Sequence, residues 1–223
     1  DNEGFLIPRS FVLREAVEDE VQRFDRAVAA AADEVLRTQN SMTSQLGEKV
    51  GAIFAAHLQI LHDPRLRREV ETAIREHGYS AEFAVTMTLG GYAKLFRESP
   101  NPVLAERTHD IVDLERALLR HQTGRREDEL GQLSSPVVLL AHNLTPSETA
   151  NLDTRYVLGF VTEIGGAGGH TAIVAKGLEI PAVVGVGRFL SQVAGGNLVI
   201  VDGDAGRVIV QPDEATLARY QDA

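Results

Sequence analysis

The run Gly165-Gly166-Ala167-Gly168-Gly169-His170-Thr171-Ala172 sets one imidazole behind four glycines spread over five residues. Glycines at that density let the backbone turn tightly and approach a ligand with no Cβ in the way. Leading into a helix, the run offers unpaired N–H groups and the positive end of the helix dipole, which together favour an anion. An imidazole placed there is a nucleophile beside a phosphate cradle. Its neutral form is populated at neutral pH, given an ordinary pKa of about 6.5, and carries a free nitrogen lone pair. The same dipole disfavours the imidazolium. The P–N bond of a phosphoimidazole is labile, so the group can be handed on. A plain strand-to-helix turn carrying a surface histidine has this composition too, and on the loop alone both readings stand. His62, His77, His121 and His142 have no supporting pattern and read as surface residues, while Asp202 and Asp204 flank a hairpin turn and are expected to serve the turn, not a metal.

The elements that must position His170 follow from period and punctuation. Val137 to Ala141 is a strand-like apolar run, and Thr145-Pro146-Ser147-Glu148 opens a helix with a capping box and proline at the first helical position. Val157 to Thr162 is a second strand, leading into the glycine run and a short helix from about His170 to Lys176, closed by Gly177. Ile180 to Val184, Leu198 to Asp202 and Val208 to Val210 are further strands, the last two joined by the Gly203-Asp204-Ala205-Gly206 turn. Strands alternating with helices make an α/β layer.

Upstream the period is helical. Val17, Val21, Phe24, Val28, Ala31, Val35 and Leu36 recur three or four residues apart, and Val50, Ile53, Phe54, Leu58 and Leu61 continue the pattern. Asp63-Pro64 starts a third helix that stops at Gly78, Ser80 caps a fourth, and a fifth runs from about Pro102 to Gly124. Residues 5 to 13, broken by Pro8, suit an edge strand or two short pieces. Strand-like residues thus lie on both sides of the helical block. The expected architecture combines an α/β and an all-α part. The α/β part is discontinuous over 1–13 and 125–211, residues 14–124 are a helical insertion, and residues 212–223 begin a linker helix.

Composition narrows the partners. Asp and Glu number 32 against 22 Lys and Arg, a formal net charge of -10, which repels phosphate backbones and argues against nucleic acid. No apolar run approaches the roughly 20 residues that span a bilayer, so no membrane partner is expected. Cysteine is absent, which removes disulfides and thiolate metal sites. With no basic and apolar leader at Asp1-Asn2-Glu3-Gly4, the expected location is the cytoplasm; without an initiator Met, an excised or processed piece is the expectation.

A longer stretch carries a resemblance. Gly165 through Gly185, with Thr171-Ala172-Ile173-Val174-Ala175-Lys176-Gly177 and Ile180-Pro181-Ala182-Val183-Val184-Gly185, resembles the phosphohistidine signature of the phosphoenolpyruvate-utilising enzymes. Leu144-Thr145-Pro146-Ser147-Glu148-Thr149-Ala150, Ala52-Ile53-Phe54-Ala55-Ala56-His57-Leu58 and Glu106-Arg107-Thr108-His109-Asp110-Ile111 are similar to strings of Enzyme I of the bacterial sugar phosphotransferase system. The resemblance implies a swivelling phosphohistidine α/β domain with an inserted helical bundle that docks the phosphocarrier HPr. It implies that His170 takes a phosphoryl group from phosphoenolpyruvate and passes it to HPr. Thr149 matches a threonine whose hydroxyl contacts that histidine, Gly168, Gly169 and Thr171 form the phosphate loop, and His57 and Arg107 fall on the carrier-binding side. For His57 a place in a helix–helix seam, beside Phe54 and Leu61, fits the spacing equally well.

Two departures qualify the match. The family carries Thr-Ser where Gly168-Gly169 stand here, and Enzyme I continues beyond a piece of this size into a phosphoenolpyruvate-binding barrel. Magnesium is expected only with that barrel, and no cofactor or metal in this piece. Lys49 and Arg65 stand where the family tends to be acidic toward its basic carrier, which implies a divergent carrier. Two alternatives share the signature: the Enzyme I-like module of the dihydroxyacetone kinase phosphotransfer subunit, and a non-catalytic regulatory module of the same fold.

Overall fold

The computed structural model describes residues 7–124, 133 and 135–221. The chain divides into two compact units, residues 1–127 and 128–223.

The first unit is helical: α1 (Val17–Leu46), α2 (Glu48–Leu61), α3 (Pro64–His77), α4 (Ala81–Arg97), α5 (Pro102–Glu106) and α6 (Thr108–Thr123). The starts of α3 and α4 have local causes. Asp63 accepts the Arg65 N–H with Pro64 at the first helical position, and Ser80 accepts the Phe83 N–H at the head of α4. Gly78 and Gly124 end α3 and α6 in the left-handed conformation. Val21, Phe24, Ala27, Ala31 and Val35 of α1 are buried on one stripe, together with Ile53, Phe54, Val70, Ile74, Leu89, Ile111, Leu114 and Leu118 from the other helices. The stripe runs through Ala27 and leaves Leu36 exposed, so its angle differs slightly from that expected with Val28 and Leu36 inside. Gly51 lets α2 come against α1, where a Cβ would collide with the Thr43 hydroxyl. The expected fifth helix is two: the chain breaks at Arg107, where α5 ends and α6 begins.

The N-terminal segment departs from expectation. Among its described residues, Val12 N–H donates to the Gly78 carbonyl (2.8 Å), the Ser10 carbonyl accepts from Ser80 N–H (3.1 Å), and Phe11 bridges Tyr79. These bonds place residues 10–12 with the helices and not with a sheet. The expected contribution of 1–13 to the α/β layer is therefore corrected for residues 10–12. Residues 1–6, and 125–132 at the expected boundary, lie outside the described residues.

The second unit is α/β. Strands β1 (Val137–Ala141), β2 (Val157–Thr162) and β3 (Ala182–Val184) form a parallel sheet in that order, with α7 (Pro146–Ala150) between the first two and α8 (His170–Gly177) between the last two. β4 (Val199–Asp202) and β5 (Arg207–Val210) form an antiparallel hairpin, followed by α9 (Glu214–Gln221). Asp202 shapes the hairpin turn by accepting the Ala205 N–H at 2.8 Å, the turn role expected of it. Phe160, Val157, Leu144, Leu152, Ala175 and Ile180 form the core. Among the described residues no helix is long and apolar enough to cross a membrane.

Candidate functional site

Parallel strands deliver their C-terminal ends to one edge, and loops there are positioned by a rigid sheet. At this edge β2 runs into Glu163, the glycine run and α8. Gly165 takes a φ of 125°, and a Cβ on it would lie 3.4 Å from the Val184 side chain. Gly185, just past β3, has a φ of 73°, and a Cβ there would lie 2.5 Å from the Gly165 carbonyl oxygen. Two loops therefore interlock backbone to backbone, and both contact positions require glycine. Within the run Gly169 N–H donates to the Gly166 carbonyl at 2.9 Å, closing a turn directly before His170.

His170 is the first residue of α8, with Gly169 as its cap in an extended conformation that brings no side-chain capping bond. The imidazole is half-buried, while residues 164–168 are exposed, so the run faces solvent at the mouth of the first helical turn. The N–H groups that head such a turn and the helix dipole favour an anion there. Thr171 does not face a phosphate with its proton: its hydroxyl donates to the Leu144 carbonyl at 2.7 Å and fastens the start of α8 to the turn before α7.

Helix α7 is fixed in turn by the reciprocal capping box. Thr145 accepts the Glu148 N–H at 3.2 Å and the Glu148 carboxylate accepts the Thr145 N–H at 2.7 Å. Thr149 is fully buried, and its hydroxyl donates to the Thr145 carbonyl at 2.9 Å. The Thr149 proton is thus committed within α7, while its oxygen keeps acceptor capacity for the expected contact with the imidazole.

One cluster at this edge carried no sequence signal. Glu163 bonds His142 Nδ1 through one carboxylate oxygen at 2.7 Å, and with the other accepts the N–H groups of Phe189 (2.8 Å) and Leu190 (3.0 Å). The His142 imidazole, then the Leu190 and Phe189 N–H groups, hold the Glu163 carboxyl down at about 2. His142 is exposed, as expected, but it has a partner.

The remaining candidates lie in the helical unit. His57 is completely buried, with Nε2 3.3 Å from Asp110 and Nδ1 3.8 Å from Asp113. It cannot touch a partner protein directly, and of the two readings the helix seam is the one realised. The Phe54 and His57 rings meet nearly perpendicular, 5.8 Å between centroids. Arg107 is accessible, and its guanidinium lies 3.4 Å from the same Asp110. Arg65 is paired with Glu69 at 2.8 Å, which offsets its charge locally. Among the described residues no group of three or more His, Asp or Glu side chains is arranged to hold a metal ion.

Comparison with known proteins defines the class first. The family described as "PEP-utilising enzyme, N-terminal" matches residues 5–107, and "PEP-utilising enzyme, mobile domain" matches residues 133–206. Solved structures narrow it. An NMR solution structure of Enzyme I superposes with a TM-score of 0.73 at 37% identity, covering 99% of this chain and 89% of that one. An N-terminal domain of "Enzyme 1 - Nitrogen" gives 0.65 at 28% identity, covering 97% and 87%. The chain belongs to the Enzyme I family of phosphoenolpyruvate-utilising enzymes. Among curated relatives, the phosphoenolpyruvate-protein phosphotransferase of Bacillus sp. (strain S) is 41% identical over 205 residues, 92% of this chain and 36% of the relative. That of Listeria monocytogenes serovar 1/2a is 36% identical over 231 residues, 99% and 40%. The chain therefore spans well under half the length of these relatives.

Proposed function

We propose that this chain is the phosphotransfer part of a phosphoenolpyruvate-protein phosphotransferase and that His170 is the residue phosphorylated. The observation that carries the reading is the placement of His170: first residue of α8, at the carboxyl edge of a parallel sheet, behind an interlocked glycine run. A neutral imidazole nitrogen attacks phosphorus, a P–N bond forms, and the P–O bond to the enol oxygen of phosphoenolpyruvate breaks, leaving pyruvate enolate to take up a proton. In the second transfer a carrier histidine attacks the phosphoryl group and the P–N bond to His170 breaks. The N–H groups at the start of α8 stabilise the negative charge of the transferring group. Thr149 contributes an acceptor oxygen and a fixed wall, and Thr171 ties the helix start in place.

The carrier is an HPr-type phosphocarrier protein, docked on the helical unit. Arg107 is the partly accessible group offered to it; His57 acts from inside, holding Asp110, which steadies Arg107. Loading from phosphoenolpyruvate belongs to the barrel and its magnesium, and no step of this chain's own chemistry runs through a metal. The place of action is the cytoplasm, where the sugar phosphotransferase system works. The relatives are phosphoenolpyruvate-protein phosphotransferases, so the dihydroxyacetone kinase alternative gains no support.

The test is incubation with phosphorylated HPr from the same organism. Acid-labile label on the wild type, absent from His170→Ala, is the expected result. A folded wild type that takes no label from any cognate carrier favours the non-catalytic reading suggested by Gly168-Gly169 and overturns phosphotransfer.

A further inference from the structure

Five backbone and side-chain hydrogen bonds meet at Glu163, the residue just after β2. Its N–H donates to the Ala141 carbonyl (3.1 Å) at the end of β1, and its carbonyl accepts the Gly187 N–H (3.0 Å) from the segment after β3. One carboxylate oxygen accepts the N–H groups of Phe189 and Leu190, and the other bonds His142. The neighbouring residues extend the pattern: Val186 N–H donates to the Thr162 carbonyl (3.2 Å), and Ile164 N–H to the His142 carbonyl (3.1 Å). Only 11% of the Glu163 side chain is exposed. A carboxylate that accepts two backbone N–H groups is a strong, oriented acceptor, because charge-assisted bonds are about twice as strong as neutral ones.

What this carboxylate fixes is the 185–190 segment, and the segment's first residue is Gly185, the glycine that fits against the Gly165 carbonyl. Gly165 lies two residues beyond Glu163 and opens the run that ends at His170. Glu163 therefore grips both sides of the interlock, one through its own backbone and the other through its side chain. His142 lies two residues before Leu144, whose carbonyl receives the Thr171 hydroxyl. The Glu163–His142 bond thus also joins the β1 end, which anchors the start of α8, to the same hub.

We propose that Glu163 is a positioning residue for His170: its carboxylate clamps the 185–190 segment and thereby holds the glycine run in its transfer-ready shape. The proposal rests on the phosphotransfer reading, but it concerns residues to which that reading gives no part. Glu163 acts through the loop and not on the phosphoryl group.

The experiment compares wild type, Glu163→Ala, Glu163→Gln and Glu163→Asp in the 223-residue chain, with phosphorylated HPr as donor. Three quantities are read: the rate and KM of His170 labelling, amide hydrogen exchange of residues 164–170 and 185–190, and the thermal midpoint. Glu163→Ala is expected to lower the transfer rate about ten-fold with KM for the carrier unchanged, because reacting groups are displaced and docking is not. Exchange in both segments is expected to quicken together. Glu163→Gln is expected to restore the rate, since its amide oxygen still accepts from Phe189 and Leu190. Should Glu163→Ala fail to fold, Glu163→Asp takes its place, keeping charge but losing reach by one methylene, and the same loss in rate is expected. A folded Ala or Asp variant that labels as fast as wild type overturns the proposal. So does a Gln variant that recovers the thermal midpoint without recovering the rate. Wild type that takes no label overturns the phosphotransfer reading itself, a result no Glu163 variant can produce.

Discussion

The helical unit and the α/β unit keep their shapes by different means. The helical unit relies on side chains: a continuous apolar core around Phe24, Phe54 and Leu118, and within it the buried group of His57, Asp110 and Asp113. The α/β unit has a smaller core, all five residues of β1 remain partly accessible, and its functional edge is held by backbone fits and backbone-directed hydrogen bonds. Side-chain packing tolerates repacking but punishes a buried charge that loses its neighbour. Backbone interlocks tolerate almost nothing at the contact and almost anything beside it. The difference suits the proposed division of labour, a stable docking body and a small unit whose reactive loop must be shaped to within fractions of an ångström.

The largest expected effect falls on the helical unit. His57→Ala empties a fully buried site between two buried carboxylates, and truncating a large buried side chain to alanine costs about 2 to 5 kcal/mol. Denaturant unfolding followed by hydrogen exchange should show the loss in α2 and α6. If His57 is only a spacer, His57→Leu will be as stable as wild type, and the claim that its polar neighbours Asp110 and Asp113 matter in this core will fail. Arg107→Ala, by contrast, is expected to leave stability nearly unchanged, since its guanidinium is accessible and its pairing with Asp110 is partly screened.

Next comes the interlock. Gly185→Ala forces a side chain into a left-handed conformation and against the Gly165 carbonyl, and strain of this kind costs about 1 to 3 kcal/mol. The expected signature is faster exchange in residues 164–170 with α1 to α6 unaffected. An alanine tolerated without change in exchange would mean that the two loops can part at no cost.

These two regions were legible to different degrees. The caps at Asp63-Pro64, Ser80 and Thr145-Glu148 announce themselves because donor and acceptor lie within three residues of each other. Helical periodicity located the core, although with ridge positions one residue apart such as Ala27 and Val28 it could not say which faces inward. The glycine run and His170 were visible as types and spacing. The Glu163 hub was not, because its partners lie 21, 26 and 27 residues away and are joined only when parallel strands align their ends. Residues 10–12 were misassigned for a similar reason: strand-like composition does not reveal that Gly78 and Ser80 supply the pairing. Burial of His57 was open in the sequence, since its spacing fits a seam and a surface alike.

A smaller effect is expected from acid. The folded carboxyl of Glu163 sits at about 2 against an ordinary 4.5, so this group stabilises the fold fully above the ordinary value. As pH falls from there toward 2 the unfolded chain binds the proton first, and the contribution is lost. Nuclear magnetic resonance titration should show the Phe189 and Leu190 amides loosening over this window in wild type but not in Glu163→Gln. The helical unit's amides, which lack this carboxylate, serve as the internal control; parallel loosening in both units would contradict a local cause.

The smallest stability effect is expected where the chain departs most visibly from its family. A Cβ on Gly168 meets nothing within 4 Å, so Gly168→Thr fits without strain. Gly169 has φ -69° and ψ 158°, an ordinary cap conformation, and a Cβ there comes 3.1 Å from the Gly166 carbonyl, tight but adjustable. A serine at that cap adds a hydroxyl able to accept an N–H of the first turn of α8, worth a few tenths of a kcal/mol over glycine. The double variant is therefore expected to melt within about 0.5 kcal/mol of wild type. Its effect on transfer is the informative part. If the glycines supply N–H contacts in place of hydroxyls, the His170 labelling rate will change less than two-fold, roughly the size of one such minor contact. If the hydroxyls are what the phosphoryl group needs, the rate will rise while the thermal midpoint stays put.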